Sequence, residues 1–115
     1  MRPVPTSASI ARHFVGTTLH SWGCAGVIEV ATLLVSEVVT NAVLHARSDL
    51  ELHLISGGHF VRVEVSDASP AKPVVRDHSA DALSGRGLAL VQRLATAWGV
   101  QDRPGGKVVW FEIAA

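Results

Sequence analysis

The sequence predicts an α+β fold, a two-layer α/β sandwich with helices on one face of a mixed, mostly antiparallel sheet. Three segments carry apolar residues at helical spacing, three shorter segments alternate apolar and polar residues as strands do, and a short fourth strand follows the third helix. Two successive strand pairs are separated only by turn signals, at residues 56–58 and 103–106. A tight turn joins antiparallel strands, whereas a doubly wound parallel sheet needs long crossovers, so that fold is disfavoured.

Composition restricts the class of protein. The 115 residues are 48% hydrophobic and 17% charged, which excludes a disordered chain and suits one domain over residues 1–115 with no separate regulatory domain. Ten Lys and Arg balance ten Asp and Glu. A neutral chain has no overall field toward nucleic acid or an anionic membrane, so neither is an expected partner.

Cysteine usage and the apolar segments predict a cytoplasmic protein. Cys24 is the only cysteine, so no internal disulfide can form, and we expect it to pack as a small apolar side chain. The histidines have no spacing typical of a zinc site. We expect no signal peptide, and no apolar stretch close to the roughly 18 residues that a membrane helix needs.

Two helices are predicted in the first part of the chain. The first starts at Ser7 or Ser9 and ends at Gly23, with one apolar face made by Ile10, Phe14, Val15, Leu19 and Trp22. The second covers residues 27–46. Its core face is predicted to comprise Val27, Val30, Leu34 and Val38, and its solvent face Glu29, Thr32, Ser36, Thr40 and Arg47.

Four strands and a third helix are predicted in the rest of the chain. The strands cover residues 50–55, 59–66, 99–102 and 107–113, and the helix runs from about residue 85 to Gly99. We expect one face of the sheet to carry Leu50, Leu52, Leu54, Val61, Val63, Val65, Val109, Phe111 and Ile113. Residues 68–86 have no apolar period, and a loop of this length in a compact domain is usually functional or disordered.

A polar stripe interrupts the second helix. On a wheel of about 100° per residue, Glu37, Asn41 and His45 continue the side of Val30 and Leu34. Buried without partners, such groups would each cost a few kcal/mol, roughly, so a ligand is expected beside them. Carboxylate and amide oxygens suit Mg²⁺ bridging to phosphates, but a polar edge facing water is the alternative. His45 could equally be a surface group or a core hydrogen-bonder.

Two further features could hold parts of a ligand. Asp67 ends a strand, where its carboxylate could accept a hydrogen bond from an exocyclic amine or could simply open an Asx turn. Gly85, Arg86 and Gly87 lead into a helix, whose free amides attract phosphate. That pattern also occurs at ordinary helix starts, and Arg86 could contact a phosphate or be solvated.

In order and spacing, these segments resemble the GHKL superfamily of histidine kinase-like ATP-binding domains. The most similar members are the bacterial anti-sigma-factor serine/threonine kinases of the RsbW and SpoIIAB type. SEVVTNAVLHA resembles their N box, VSDASP their first glycine box and GRGLALVQRLA their second, and the similarity extends over nearly the whole chain.

The resemblance implies ATP and Mg²⁺ as cofactors and assigns roles to residues. Asn41 resembles the Mg²⁺ ligand, Glu37 the general base or nucleophile-positioning residue, and Asp67 the adenine-binding aspartate. It also implies a lid over residues 68–86. The other positions that it places at the nucleotide are Ala42, His45, Ala46, Gly85, Arg86, Gly87 and Leu88.

Two functions follow from the resemblance. One is a protein kinase that phosphorylates or sequesters a partner in a transcription-regulating switch, and the other is a non-catalytic, nucleotide-dependent binding module. Either implies a sigma factor or an anti-anti-sigma protein as partner, and relatives also form homodimers. The family's first glycine box is D-x-G-x-G, whereas Ser69 and Ala71 replace its glycines here, which implies a stiffer lid hinge. A structural domain without ligand would leave the polar stripe unexplained.

Overall fold

The computed structural model describes residues 1–45, 48–68 and 86–115. In these residues a helical layer lies on one face of a four-stranded sheet. The helices are α1 (Ser7–Ser21), α2 (Ile28–His45) and α3 (Arg86–Leu94), and a short 3-10 turn (Ala25–Val27) precedes α2. The strands are β1 (Leu50–Ser56), β2 (Phe60–Asp67), β3 (Ala97–Arg103) and β4 (Gly106–Ala114).

The sheet has the strand order β1-β2-β4-β3, and each of these neighbouring pairs is antiparallel. At the β1–β2 turn the Gly57 amide donates to the Phe60 carbonyl at 2.9 Å. Gly58 and Gly105 have φ of +90° and +81°, a conformation that favours glycine, so both predicted turns form where the sequence places them. The α+β prediction is confirmed.

The core lies between the helices and the inner face of the sheet. Val63 and Phe111, on the two central strands, are fully buried, and α1 and α3 both pack against α2 above them. The predicted inward alternation is confirmed for β2 and β4. In β1, Leu50 is buried, while Leu52 and Leu54 are half-buried at the edge of the sheet.

The predicted apolar face of α1 was wrong in part. Val15 and Leu19 are buried as expected, but Ile10 and Phe14 are 54% and 44% exposed. Ala8 and Ala11 face the core instead, because a small side chain lets α1 approach its neighbours closely. Nor do Ser7 and Ser9 cap the helix, since the N-cap residue is Thr6.

The faces of α2 also differ from the prediction. Leu34 and Val38 are buried as expected, and Ala31, Val35 and Val39 join them. Ser36, predicted to face solvent, is half-buried, because α1 packs on this side and Arg12 Nη1 donates to Ser36 Oγ at 2.8 Å. The core face is therefore turned toward Val35 and Val39.

The outer face of the sheet carries a charged cluster instead of helices. Arg62 lies 4.1 Å from the centroid of the Trp110 ring and forms ion pairs with Glu64 at 2.8 Å and Glu112 at 2.9 Å. Burial by itself lowers the pKa of Arg62, but the hydrogen bonds to both carboxylates outweigh it and raise the pKa above its ordinary value. Arg62 therefore remains protonated and positively charged at every working pH.

One apolar segment is longer than the sequence analysis expected. Ala25–Leu44 is long and apolar enough to cross a membrane by length and composition alone. The core helix of a soluble domain passes the same test, and α2 contributes Leu34, Val35 and Val38 to the core described above. Packing within the domain thus accounts for the buried part of this segment, which is 28% of it.

Candidate functional site

The second half of α2 extends beyond the hydrophobic core. Among residues 28–44, whose burial is described, Val39 is the last buried residue, and residues 40–44 are all half-buried or exposed. Glu37 and Asn41 lie one turn apart and are both half-buried. The predicted polar stripe therefore does not run into a sealed core, but lies at its margin, where a carboxylate and an amide are reachable by a ligand.

The end of α2 and the end of β2 meet at the same end of the domain. Ser48 follows His45 by three positions in the chain, which limits the distance between their Cα atoms to about 11 Å. Ser48 Oγ accepts a hydrogen bond from the Ala68 amide at 2.9 Å, and Leu50 pairs in register with Asp67. The chain thus brings the exposed end of α2 close to the strand end that carries Asp67.

Asp67 is held tightly at that strand end. It follows Val61, Val63 and Val65 in the alternation of β2, so its side chain is on the helix-covered face of the sheet. The carboxylate is only 5% exposed, and its Oδ2 forms an ion pair with Lys107 Nζ at 3.0 Å. A buried carboxylate paired in this way is a fixed hydrogen-bond acceptor rather than a mobile surface group.

Lys107 was not among the residues predicted for the site. It lies directly opposite Asp67 in β4 and also opposite Asp102 in β3, so three charged residues form a row across three strands. Its side chain is 38% exposed. The sequence does indicate that Lys107 faces inward, because it alternates with the inward-facing Val109 and Phe111. Only the pairing of β2 with β4 in the structure connects it to Asp67.

The third part of the predicted site is the start of α3. The structure begins this helix at Arg86, so Arg86, Gly87 and Leu88 form its first turn. Val91 anchors α3 in the core beside α2. Because only Ala95 and Thr96 connect α3 to β3, the chain turns back there and the amino end of α3 is directed toward the Asp67 end of the sheet.

The remaining predicted positions divide into two groups. Ala42 is half-buried and packs against the core at the margin where Asn41 lies. Gly85, Ala46, the substituted glycine positions Ser69 and Ala71, and nearly all of the predicted lid over residues 68–86 lie outside the described residues. The same holds for the side chains of His45, Arg86 and Leu88.

An open cavity of about 330 Å³ adjoins Asp67 at this end of the sheet. It is bounded by the chain before β1, the end of β2 and the β3–β4 turn, and its lining includes Ser48, Asp67 and Gly106. Glu37 and Asn41 are not part of its lining. Within residues 1–45, 48–68 and 86–115, no group of three or more His, Cys, Asp or Glu side chains could hold a metal ion.

A helical layer over an antiparallel sheet, with a buried carboxylate at the strand end next to an exposed helix end, is consistent with a histidine kinase-like ATPase fold. The chain belongs to that family, since the model of the histidine kinase-like ATPase domain matches residues 1–113. This match covers all the elements described above except the last residue of β4.

Thirteen chains of solved structures match the protein. One is the histidine kinase domain of the blue-light activated histidine kinase EL346 from Erythrobacter litoralis, with 29% sequence identity and a TM-score of 0.56. The similarity covers 78% of the present chain but only 45% of that one. No curated protein matches the sequence.

Proposed function

We propose that this protein binds Mg²⁺-ATP and uses it in a protein-based regulatory switch of the anti-sigma-factor type. The observation that carries the proposal is that two elements with polar groups, α2 and β2, end at the same end of the domain. The first carries the pair of half-buried side chains Glu37 and Asn41 at the margin of the core, and the second carries the buried carboxylate of Asp67. Because the chain belongs to the histidine kinase-like ATPase family, we interpret these residues as parts of a nucleotide site.

The residues present fit a purine nucleotide with its metal. Asp67 would accept a hydrogen bond from the exocyclic amine of adenine, and the first-turn amides of α3 would donate to phosphate oxygens. Asn41 offers an amide oxygen, a ligand type that Mg²⁺ accepts when waters and phosphates complete its shell. When bound, the metal neutralises part of the negative charge of the triphosphate.

The catalytic form of the proposal is a serine/threonine kinase. The hydroxyl oxygen of a partner protein bonds to the γ-phosphorus while the bond from that phosphorus to the bridging oxygen breaks, and ADP leaves with the electron pair. Glu37 accepts the hydroxyl proton or orients the hydroxyl for attack. An anti-anti-sigma protein is the substrate that the family resemblance predicts, and a sigma factor is the protein that would be sequestered.

The alternative is a nucleotide-dependent binding module without phosphoryl transfer. Ser69 and Ala71 replace the usual glycines of the first glycine box, which supports this alternative. In that case occupancy by nucleotide selects the conformation that binds the sigma factor or its antagonist. A cytoplasmic location and a homodimer are further proposals that rest on the sequence analysis alone.

Calorimetric titration with ATP and ADP, with and without Mg²⁺, tests the common part of the proposal. We expect binding to the unmodified protein, and about tenfold or greater loss of affinity in Asp67→Asn, because a charge-assisted hydrogen bond becomes a neutral one. Glu29→Gln is the control, since this carboxylate is exposed in the first turn of α2 and does not line the cavity beside Asp67. Absence of binding at millimolar nucleotide would refute the proposal.

Labelled ATP separates the two forms. Incubation with candidate anti-anti-sigma proteins should place label on a serine or threonine of the partner, and Glu37→Gln should slow the transfer by about a hundredfold or more. Glu29→Gln, an exposed carboxylate in the first turn of the same helix, should have no effect. If nucleotide binds but no label is transferred to any such partner, the binding module is the correct form.

A further inference from the structure

We infer that Lys107 is a second base-reading residue, one that donates a hydrogen bond to the adenine ring nitrogen adjacent to the exocyclic amine. The inference rests on the proposed function, because it assumes that Asp67 receives that amine. It starts from the ion pair between Asp67 Oδ2 and Lys107 Nζ. Neither the sequence motifs nor the family match assigns any role to this lysine.

Lys107 is the more exposed member of its ion pair with Asp67. Only 5% of the Asp67 side chain is exposed, compared with 38% of the Lys107 side chain. A ligand that approaches the carboxylate therefore meets the ammonium group beside it. A base that used Asp67 alone would cover this cation and leave its other N–H donors without acceptors, which is costly.

Lys107 and Asp67 can instead bind the base together, one as hydrogen-bond donor and the other as acceptor. An ammonium group has three donors, of which one is directed at Asp67 Oδ2, and each carboxylate oxygen can accept more than one hydrogen bond. Acceptor and donor atoms thus lie side by side, 3.0 Å apart. The Watson–Crick edge of adenine presents the complementary order, a donating amine next to an accepting ring nitrogen.

The backbone holds this pair in place. Lys107 is opposite Asp67 in the β2–β4 register and opposite Asp102 in the β3–β4 register, so its position is determined on both sides. The preceding Gly106 lies so close to the Asp67 carbonyl that an added Cβ would stand 2.0 Å from the oxygen. Lys107 therefore lies on a strand, β4, that is paired on both sides, and such a rigid element suits a residue that recognises a base.

An ADP analogue in which a C–H group replaces that ring nitrogen tests the inference by calorimetry. The analogue keeps the amine for Asp67 and removes only the acceptor proposed for Lys107. The unmodified protein should bind it about tenfold or more weakly than ADP, as expected for loss of a hydrogen bond to a charged donor. In Lys107→Met the two ligands should bind with equal affinity.

Arg12→Met is the matched control. It also removes one positive charge, but from α1, where the guanidinium bonds to Ser36. This variant should keep the full discrimination between ADP and its analogue.

The possible results distinguish a failure of the role of Lys107 from a failure of the proposed nucleotide binding. Equal affinity of the unmodified protein for both ligands would overturn the role of Lys107 and leave the nucleotide proposal intact. An equal loss for both ligands in Lys107→Met, with discrimination retained, would make Lys107 a positioning residue for Asp67 and also overturn the inference. If ADP itself does not bind the unmodified protein, the proposed function and the inference fall together. The first comparison needs no variant, so it holds even if Lys107→Met does not fold.

Discussion

Gly106 determines how closely β4 can approach the end of β2. A Cβ at this position would stand 2.0 Å from the Asp67 carbonyl oxygen and 3.0 Å from the Ala68 Cα. Both neighbours are backbone atoms, which cannot rotate away as a side-chain tip can. The absence of a side chain at this one residue is therefore required for Lys107, the next residue, to reach the Asp67 carboxylate.

We predict that Gly106→Ala lowers the free energy of unfolding by about 1–3 kcal/mol through overpacking and weakens ADP binding by displacing Lys107 from Asp67. Gly26→Ala is the control, because nothing lies within 4 Å of an added Cβ there. Urea unfolding and calorimetric titration measure the two effects. Unchanged stability in Gly106→Ala would contradict the close contact.

At the residue scale, the sequence indicated some residues of the candidate site and not others. Asp67 could be found because it ends a run of alternating strand residues, and Glu37 and Asn41 because they break an apolar stripe. Lys107 could not be assigned, because its partner lies 40 residues away in the chain. Only the order of the strands brings such distant residues together, and residue spacing does not encode that order.

The helices show a different limit at the scale of elements. Periodicity placed α1 and α2 correctly in the chain but did not determine which stripe is buried. In α1, the stripe of Ile10 and Phe14 is more apolar than that of Ala8 and Ala11, and yet the alanines face the core. The packing partners decide the face of a helix, because small residues allow the closest approach.

Two adjacent leucines of α2 test this assignment. Leu34 is 0% exposed and Leu33 is 41% exposed. Leu34→Ala should therefore lower the free energy of unfolding by about 2–5 kcal/mol, because it leaves a cavity in the core. Leu33→Ala should change it by about 1 kcal/mol or less.

Chemical denaturation of both variants, under identical conditions, provides the comparison. Equal losses of stability would mean that the face of α2 has been assigned incorrectly, whereas the slope of each transition would show whether both remain two-state.

For the whole molecule, connectivity was the most informative part of the sequence. Turn signals at residues 56–58 and 103–106 required two hairpins, and two hairpins with three helices leave few arrangements other than helices on one face of an antiparallel sheet. The hairpins then pair through their second strands, β2 and β4. This central pairing brings Asp67 and Lys107 into contact.

Ligand binding should stabilise the entire domain, since it is expected to act on the folded state only. At a free Mg²⁺-ADP concentration of a hundred times Kd the gain is about 2.7 kcal/mol, which corresponds to roughly 10 °C or more in melting temperature for a chain of this size. Scanning calorimetry over a series of concentrations checks this. A melting temperature that does not move, in a range where titration detects binding, would mean that the unfolded chain binds equally well.

The division of α2 into a buried first part and an exposed second part has a consequence for mutation. The buried residues of α2 lie between Ala31 and Val39, and from Thr40 onward none of those described is buried. Substitutions in the second part can therefore alter the chemistry at the domain end while the free energy of unfolding is largely preserved. Such separation lets the chemistry at this end of the domain change without first losing the fold.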